Sequence, residues 1–265
     1  MRVTPFFVMF FGPYLQYAVM LLLMLLLLSV SRIGLFIWQF DRVSAAGNLA
    51  TMLLQGVRAD LIFAGLWLII PLLLAPLLAL QRSFTLWRRF SHVWVLLGLC
   101  LVIFIEVSTP QFILQYDIRP NRLYVEYLKY PKEVFSTLWQ GYRAMLLSGV
   151  LLTVALLWGL HKLLSAVSAA SQPYTAKTLW LSWPLVVLLV FAAVRSTTDH
   201  RPANPAFFAI TNDALVNSLI ISSPYSVFYA LYNMKHEARS GEIYGKLPDA
   251  EMFKLALDWP WLKQA

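Results

Sequence analysis

The sequence predicts an all-α membrane protein of five transmembrane helices, with short interfacial helices in an outer loop and in a C-terminal connector. Two observations carry this. Five long apolar runs lie between Tyr14 and Arg195, and the chain is 60% hydrophobic but only 13% charged, against about 25% charged in soluble domains. A hydrocarbon core about 30 Å thick takes about 20 apolar residues at helical rise, the length these runs approach. A soluble globular fold is excluded on the same grounds.

The first span is read from Tyr14 to Trp38. It exceeds the apolar stretch of about 7 to 15 residues in a cleavable signal and lacks a small-residue cleavage site, so it is a retained anchor. Arg32 lies several residues inside its outer end, from where a long side chain can snorkel to the interface. The second span runs from Leu61 to Leu80 and is opened by GVRADL, with Gly56, Arg58 and Asp60. Pro71 and Pro76 within it are expected to kink it. The third, Trp87 to Val107, contains Cys100 and ends at Glu106. A single cysteine allows no intrachain disulfide.

Two short interfacial helices are expected in the outer loop, at about 117–140. Asn121 can cap a helix from Arg122 to Lys129, in which Arg122 and Glu126 stand one turn apart and Pro131 prevents continuation. Tyr124, Tyr127, Tyr130 and Trp139 have apolar rings and polar edges suited to the headgroup layer. Spans four and five are read at Met145 to Lys162 and Leu179 to Arg195, which makes 1–195 the membrane domain. Residues 196–265 form a polar juxtamembrane connector, with Thr211 or Asn212 capping a helix from Asp213 to Ile221. Ser223 and Pro224 open a second helix through Lys235, and one more short helix follows Gly241.

Arg2, Arg82, Arg88, Arg89, Lys162 and Lys177 fall on one side without acidic companions. The basic bias of cytoplasmic loops therefore puts the N-terminus inside and the C-terminus outside. Most of the net charge of +8 lies beside the spans, where it meets lipid phosphate; without a recognition motif it does not indicate nucleic acid.

Intrinsic catalytic chemistry is not legible. His92, His161, His200 and His236 are scattered without metal-ligand spacing, and no phosphate-binding loop, dinucleotide fingerprint, nucleophile elbow or zinc-protease motif occurs. The chain has no metal or cofactor site of its own by this reading. Candidate lipid-headgroup residues are Arg58, Asp60, Asp117, Arg119, Arg122 and Glu126, because guanidinium forks match phosphate geometry. Arg32 and Glu106 are candidate charges at the bundle mouth, where Glu106 is expected to pair with Arg32 or Arg58. Simple interfacial anchoring is the competing role for all of these.

The order of features resembles the N-terminal membrane region of the lipoteichoic acid synthase-like phosphoglycerol transferases of the alkaline phosphatase and sulfatase superfamily. The resemblance rests on Gly56, Arg58 and Asp60, on IRPNRLYVEYLKYPKEV in the outer loop, and on TNDALVNSLIISSPYSVFYAL after the fifth span. It implies a bacterial cytoplasmic-membrane protein whose five spans lead to a large extracytoplasmic α/β domain. Such a domain uses a threonine nucleophile and a divalent metal, often manganese, to move glycerol phosphate from phosphatidylglycerol. The stretch after Gly241 is too short for a domain, which takes about 50 residues or more. The expectation is thus a membrane half without catalysis of its own, presenting a phospholipid to a catalytic domain that follows it or is separately encoded. Phosphoethanolamine transferases share the plan, so the headgroup stays open. The alternatives are a noncatalytic subunit of another enzyme and a small transporter or flippase. The prolines of the second span favour the transporter, whereas five spans without an internal repeat or a mid-span acid speak against it.

Overall fold

The structure, a computed structural model, describes residues 5–200, 202–243 and 248–257. Arg2, read above as a topology residue, lies outside the described residues, as do the side chains of His236 and Glu237. Every regular element described is helical: α1 (Pro5–Phe11), α2 (Leu15–Trp38), α3 (Phe40–Ala46), α4 (Leu49–Leu78), α5 (Phe84–Tyr116), α6 (Arg122–Tyr127), α7 (Pro131–Gly141), α8 (Arg143–Ala170), α9 (Ala176–Arg195), α10 (Ala214–Ile220), α11 (Ser223–Ile243) and α12 (Asp249–Leu257), with 3₁₀ turns at Gly12–Tyr14 and Pro205–Phe208. Five are long and apolar enough to cross a membrane: the stretch Val8–Trp38 ending in α2, then α4, α5, α8 and α9.

The bundle is arranged around α2, which packs against α4, α5 and α8, while α9 covers the far side of α4 and α8 lies on α5. Met20, Met24 and Leu28 of α2 meet Met52, Ala59 and Phe63 of α4 and Val95, Leu99 and Val102 of α5 in one buried cluster. Small residues let backbones close up, as is usual where lipid offers no hydrophobic drive between helices. A Cβ on Gly65 of α4 would fall 2.7 Å from Val194 of α9. The outer surfaces of α8 and α9 are apolar and exposed, including Leu151, Val154, Trp158, Leu181, Leu188 and Phe191. Such a surface is stable only in lipid.

Pro71 and Pro76 do not break α4, which runs unbroken through both. Each proline lacks the N–H that would have bonded the carbonyl four residues earlier, at Trp67 and Leu72 respectively. Both freed carbonyls are taken by indoles of neighbouring helices. Trp94 Nε1 of α5 donates to Trp67 O at 3.1 Å, and Trp183 Nε1 of α9 donates to Leu72 O at 2.8 Å. The prolines thus serve interhelical contact, and the broken-span argument for a transporter loses its footing.

Helix ends differ from expectation. α4 starts at Leu49, well before Leu61, and α5 runs past Val107 to Tyr116. Asp60 and Glu106 consequently lie inside long helices, not at span ends. α6 is capped by Asn121 as anticipated, its side chain accepting from Leu123 N at 2.9 Å, but it ends at Tyr127. The cap of α10 is Asp213, which accepts from Val216 N at 3.0 Å, instead of Thr211 or Asn212. α10 and α11 meet at a 100° bend. Tyr124, expected in the headgroup layer, packs instead on Ile105, Val125 and Val227, and its phenol pKa is pushed up by burial. Tyr130 and Trp139 are exposed.

Candidate functional site: the charged connector end

Five antiparallel spans place the connector at the end of the bundle opposite α1. There α2, α4 and α5 each carry an ionisable residue within the helix. Arg32 of α2 is 1% exposed and Asp60 of α4 is 0% exposed. Arg32 Nη2 donates to both carboxylate oxygens of Asp60, at 2.8 and 2.7 Å, while its Nε donates to the carbonyl of Ile220 at the end of α10, at 2.9 Å. Gly56 makes room for this, since a Cβ there would lie 2.4 Å from Arg32 Nε and 2.7 Å from Ile220 O.

A second, part-buried pair stands alongside. Arg119, in the segment between α5 and α6, is 1% exposed and donates through Nη1 to Glu106 Oε1 at 3.1 Å and to Ser223 Oγ at 3.3 Å. Glu106 also accepts from Ser31 Oγ of α2 and from the backbone N–H of Ser223, the latter at 3.0 Å. Thr109 Oγ1 and Ser223 Oγ lie 2.7 Å apart. Burial pushes the Arg119 pKa down, with Glu106 opposing; a guanidinium remains charged nonetheless. Glu106 therefore pairs with Arg119, not with Arg32 or Arg58, which corrects the sequence expectation.

A third node is more exposed. Arg42 of α3 forks onto Asp213, Nε to Oδ2 at 2.7 Å and Nη2 to Oδ1 at 2.8 Å, and its Nη1 reaches Asp117 Oδ1 at 2.6 Å. The hydrogen bonds from Arg42 hold the Asp213 carboxyl below the usual carboxylate range, and they raise Arg42 in turn. Asp117 closes α5 in the left-handed region at φ +50°, which a short polar side chain tolerates. Arg58 grips the end of α9: it donates to both the side chain and the carbonyl of Ser196 and lies over the Phe207 ring at 4.5 Å.

Of the six headgroup candidates, Asp60 and Arg119 are thus buried in internal pairs, while Arg58 and Asp117 are engaged with the chain itself. Arg122 and Glu126 pair with each other one turn apart at 2.9 Å, more than a third exposed. Two buried arginines face the buried Asp60 and the part-buried Glu106, so the cluster is charge-balanced, while Arg32 Nη1 and Arg119 Nε and Nη2 are buried without a hydrogen-bond partner. Its chemistry is that of a clamp. Breaking one partner of a buried pair typically costs about 3–5 kcal/mol, because the other charge is stranded.

Sequence reasoning gave no site role to Arg42, Asp213, Ser31 or Ser223, and it read Asp213 and Ser223 only as helix starts. Arg42 and Asp213 stand 171 positions apart, and no local spacing signals such a contact. The histidines are less scattered than their order suggested: His92 of α5 and His161 of α8 approach to 3.3 Å. Among the described residues no group of three or more His, Cys, Asp or Glu side chains is placed to hold a metal ion. No family model matches the chain, and no solved structure matches it.

Proposed function

We propose that this chain is the membrane-anchoring and donor-presenting part of a phospholipid-headgroup transferase, of the phosphoglycerol transferase kind. It works at the outer face of the bacterial cytoplasmic membrane, with its N-terminus inside. One observation carries the reading: the three segments on which the family resemblance rests converge in space. Gly56 and Asp60 of GVRADL, Arg119 of the outer-loop segment, and Ser218, Ile220 and Ser223 of the post-span segment all meet in the clamp.

The physical role follows from that convergence. A mere tether needs only a flexible link after the last span. Here the connector is held at Ile220 by α2 through a buried bond, and at Ser223 by α5 and Asp213 by α3 through part-buried ones, so its path over residues 213–223 is set by contacts with the bundle. Whatever follows the connector is oriented against the lipid surface, and orientation of reacting groups is a large part of catalysis. The nucleophilic threonine and the divalent metal, manganese by family resemblance, belong to the catalytic domain. In this reading the chain's share is to anchor and to present phosphatidylglycerol or a related donor.

The test is purification from native membranes with an antibody to α7, followed by intact mass and by release of labelled diacylglycerol from phosphatidylglycerol. The expected preparation carries an α/β domain, continuous with the chain or bound to it, and turns over the lipid. A 30.3 kDa species without such a domain and without turnover overturns the reading.

A further inference from the structure

An apolar recess interrupts the lipid-facing wall of the bundle at its connector end. A groove of about 350 Å³ opens where the last turns of α2, the short helix α3 and the first turn of α4 come together. Phe36 and Val43, both buried, form its floor, while Ile33, Ile37, Phe40 and Leu49 stand exposed along its rim. Among the described residues no charged side chain lines it. Ser44 is one of its few polar side chains, and that hydroxyl already donates to Asp41 O at 3.0 Å.

Two features of the chain hold this space open. Gly47 and Asn48 take left-handed backbone, at φ +69° and +54°, so the chain turns sharply from α3 into α4, and a Cβ at Gly47 would meet nothing within 4 Å. α3 packs against α2 and α10, and Arg42 pins it to Asp213 and Asp117. It is thereby drawn toward the connector and leaves Leu49 of α4 uncovered.

The position of the groove decides what covers it. Leu22, Leu26, Val30, Ile33 and Ile37 of α2 are all exposed and recur at three- and four-residue spacing, so they form one stripe along the helix. That stripe faces the bilayer, since α2 and α4 both belong to helices long and apolar enough to cross a membrane, and the groove continues it without a charged break. Hydrocarbon is therefore the medium at its mouth. A lipid tail entering from the bilayer gains no hydrophobic energy, because tails are as apolar as Leu. A rigid recess nonetheless favours a flexible tail, because unfilled space forfeits dispersion contacts along its lining. With a methylene taken as about the size of a water, roughly 30 Å³, the volume suits a stretch of about ten to twelve carbons, most of one fatty acyl chain.

We propose that this groove holds one acyl chain of a membrane lipid, in preference to the rest of the bundle's lipid-facing surface. The assignment concerns the tail and not the headgroup, and it rests on the membrane-spanning fold alone.

The test uses the whole chain in phosphatidylcholine nanodiscs doped with phosphatidylcholine that carries a photoreactive diazirine on one acyl chain. After irradiation and digestion, adducts are mapped by mass spectrometry. Adducts per residue over 33–53 should exceed those over the exposed faces of α8 and α9 by about threefold or more, the modest excess that fit gives without a hydrophobic drive, and should saturate as the doped fraction rises. Ile33→Trp and Leu49→Trp, which place an indole at the exposed rim, should each abolish the excess. Leu181→Trp, at an exposed position on α9, should leave it unchanged. Adducts spread evenly over all lipid-facing helices would show an ordinary lipid shell, and an excess that survives both rim variants would place the tail elsewhere; either result overturns the proposal. Protection of 33–53 from the probe, together with cross-links between two copies of the chain, would assign the groove to a second copy and overturns it as well.

Discussion

Replacing Trp183 by Phe removes one indole N–H but keeps an aromatic ring, so it isolates the bond donated to the Leu72 carbonyl at 2.8 Å. That carbonyl has no donor within α4, because the residue one turn on is Pro76. Leu72 is 8% exposed and sits in a span, so no water replaces the indole. An orphaned buried acceptor costs about 1–3 kcal/mol, while measured interhelical bonds in membranes average about 0.6 and reach about 1.7 kcal/mol. Trp183→Phe should therefore cost about 1–2 kcal/mol. Pro76→Ala returns the intrahelical N–H, and in that background the same Trp183→Phe change should cost less than about 0.5 kcal/mol. Unfolding in mixed micelles, followed by helical circular dichroism, gives all four corners of the cycle. An equal cost of Trp183→Phe in both backgrounds would refute the account, because the indole would then act only through packing.

Three further outcomes are expected. Arg32→Met and Asp60→Leu should each lose about 3–5 kcal/mol in the same assay, whereas the double variant should lose much less than their sum, because no charge is left stranded; additivity would show the pair is not coupled. Gly56→Ala should displace Arg32 from Ile220 O, so amide exchange should rise at the α10–α11 bend in nanodiscs while the α8 amides stay as they were; an unchanged bend would show that the cluster accommodates the methyl. Asp213, whose carboxyl Arg42 holds below its ordinary value, contributes fully above the unfolded pKa of about 3.9, and that contribution fades as pH falls through the lower folded value. Exchange at the first turn of α10, corrected for intrinsic rates, should thus rise below about pH 4, and Asp213→Asn should remove the pH-dependent part; the same acid response in the variant would assign it elsewhere.

The spans were legible because a bilayer imposes length and apolarity on each helix separately. Their ends were not, and the error has one cause. Apolar windows stop at Asp60 and Glu106, yet α4 and α5 continue through these charges, which Arg32 of α2 and Arg119 of the segment after α5 neutralise. The same holds for the site. Residue type marked Arg32, Asp60, Glu106 and Arg119 as unusual, since charges in or near a membrane need partners. Which charge meets which depended on chain distances of 28 residues for Arg32–Asp60 and 13 for Arg119–Glu106, and type alone left Arg32, Arg58 and Arg119 equivalent.

Composition and the run of apolar residues by themselves determined an all-helical chain with five spans, a capped helix at Asn121 and a polar connector, because burial in lipid and local capping are properties of single segments. Only the tertiary structure decided that the carbonyls of Trp67 and Leu72, freed by Pro71 and Pro76, accept from Trp94 and Trp183, and that the connector is clamped by Arg32 and Glu106. These features are pairings between distant segments. The attraction between such partners outweighs the cost of taking them out of water only where packing excludes solvent around both, a condition that exists once the helices have packed.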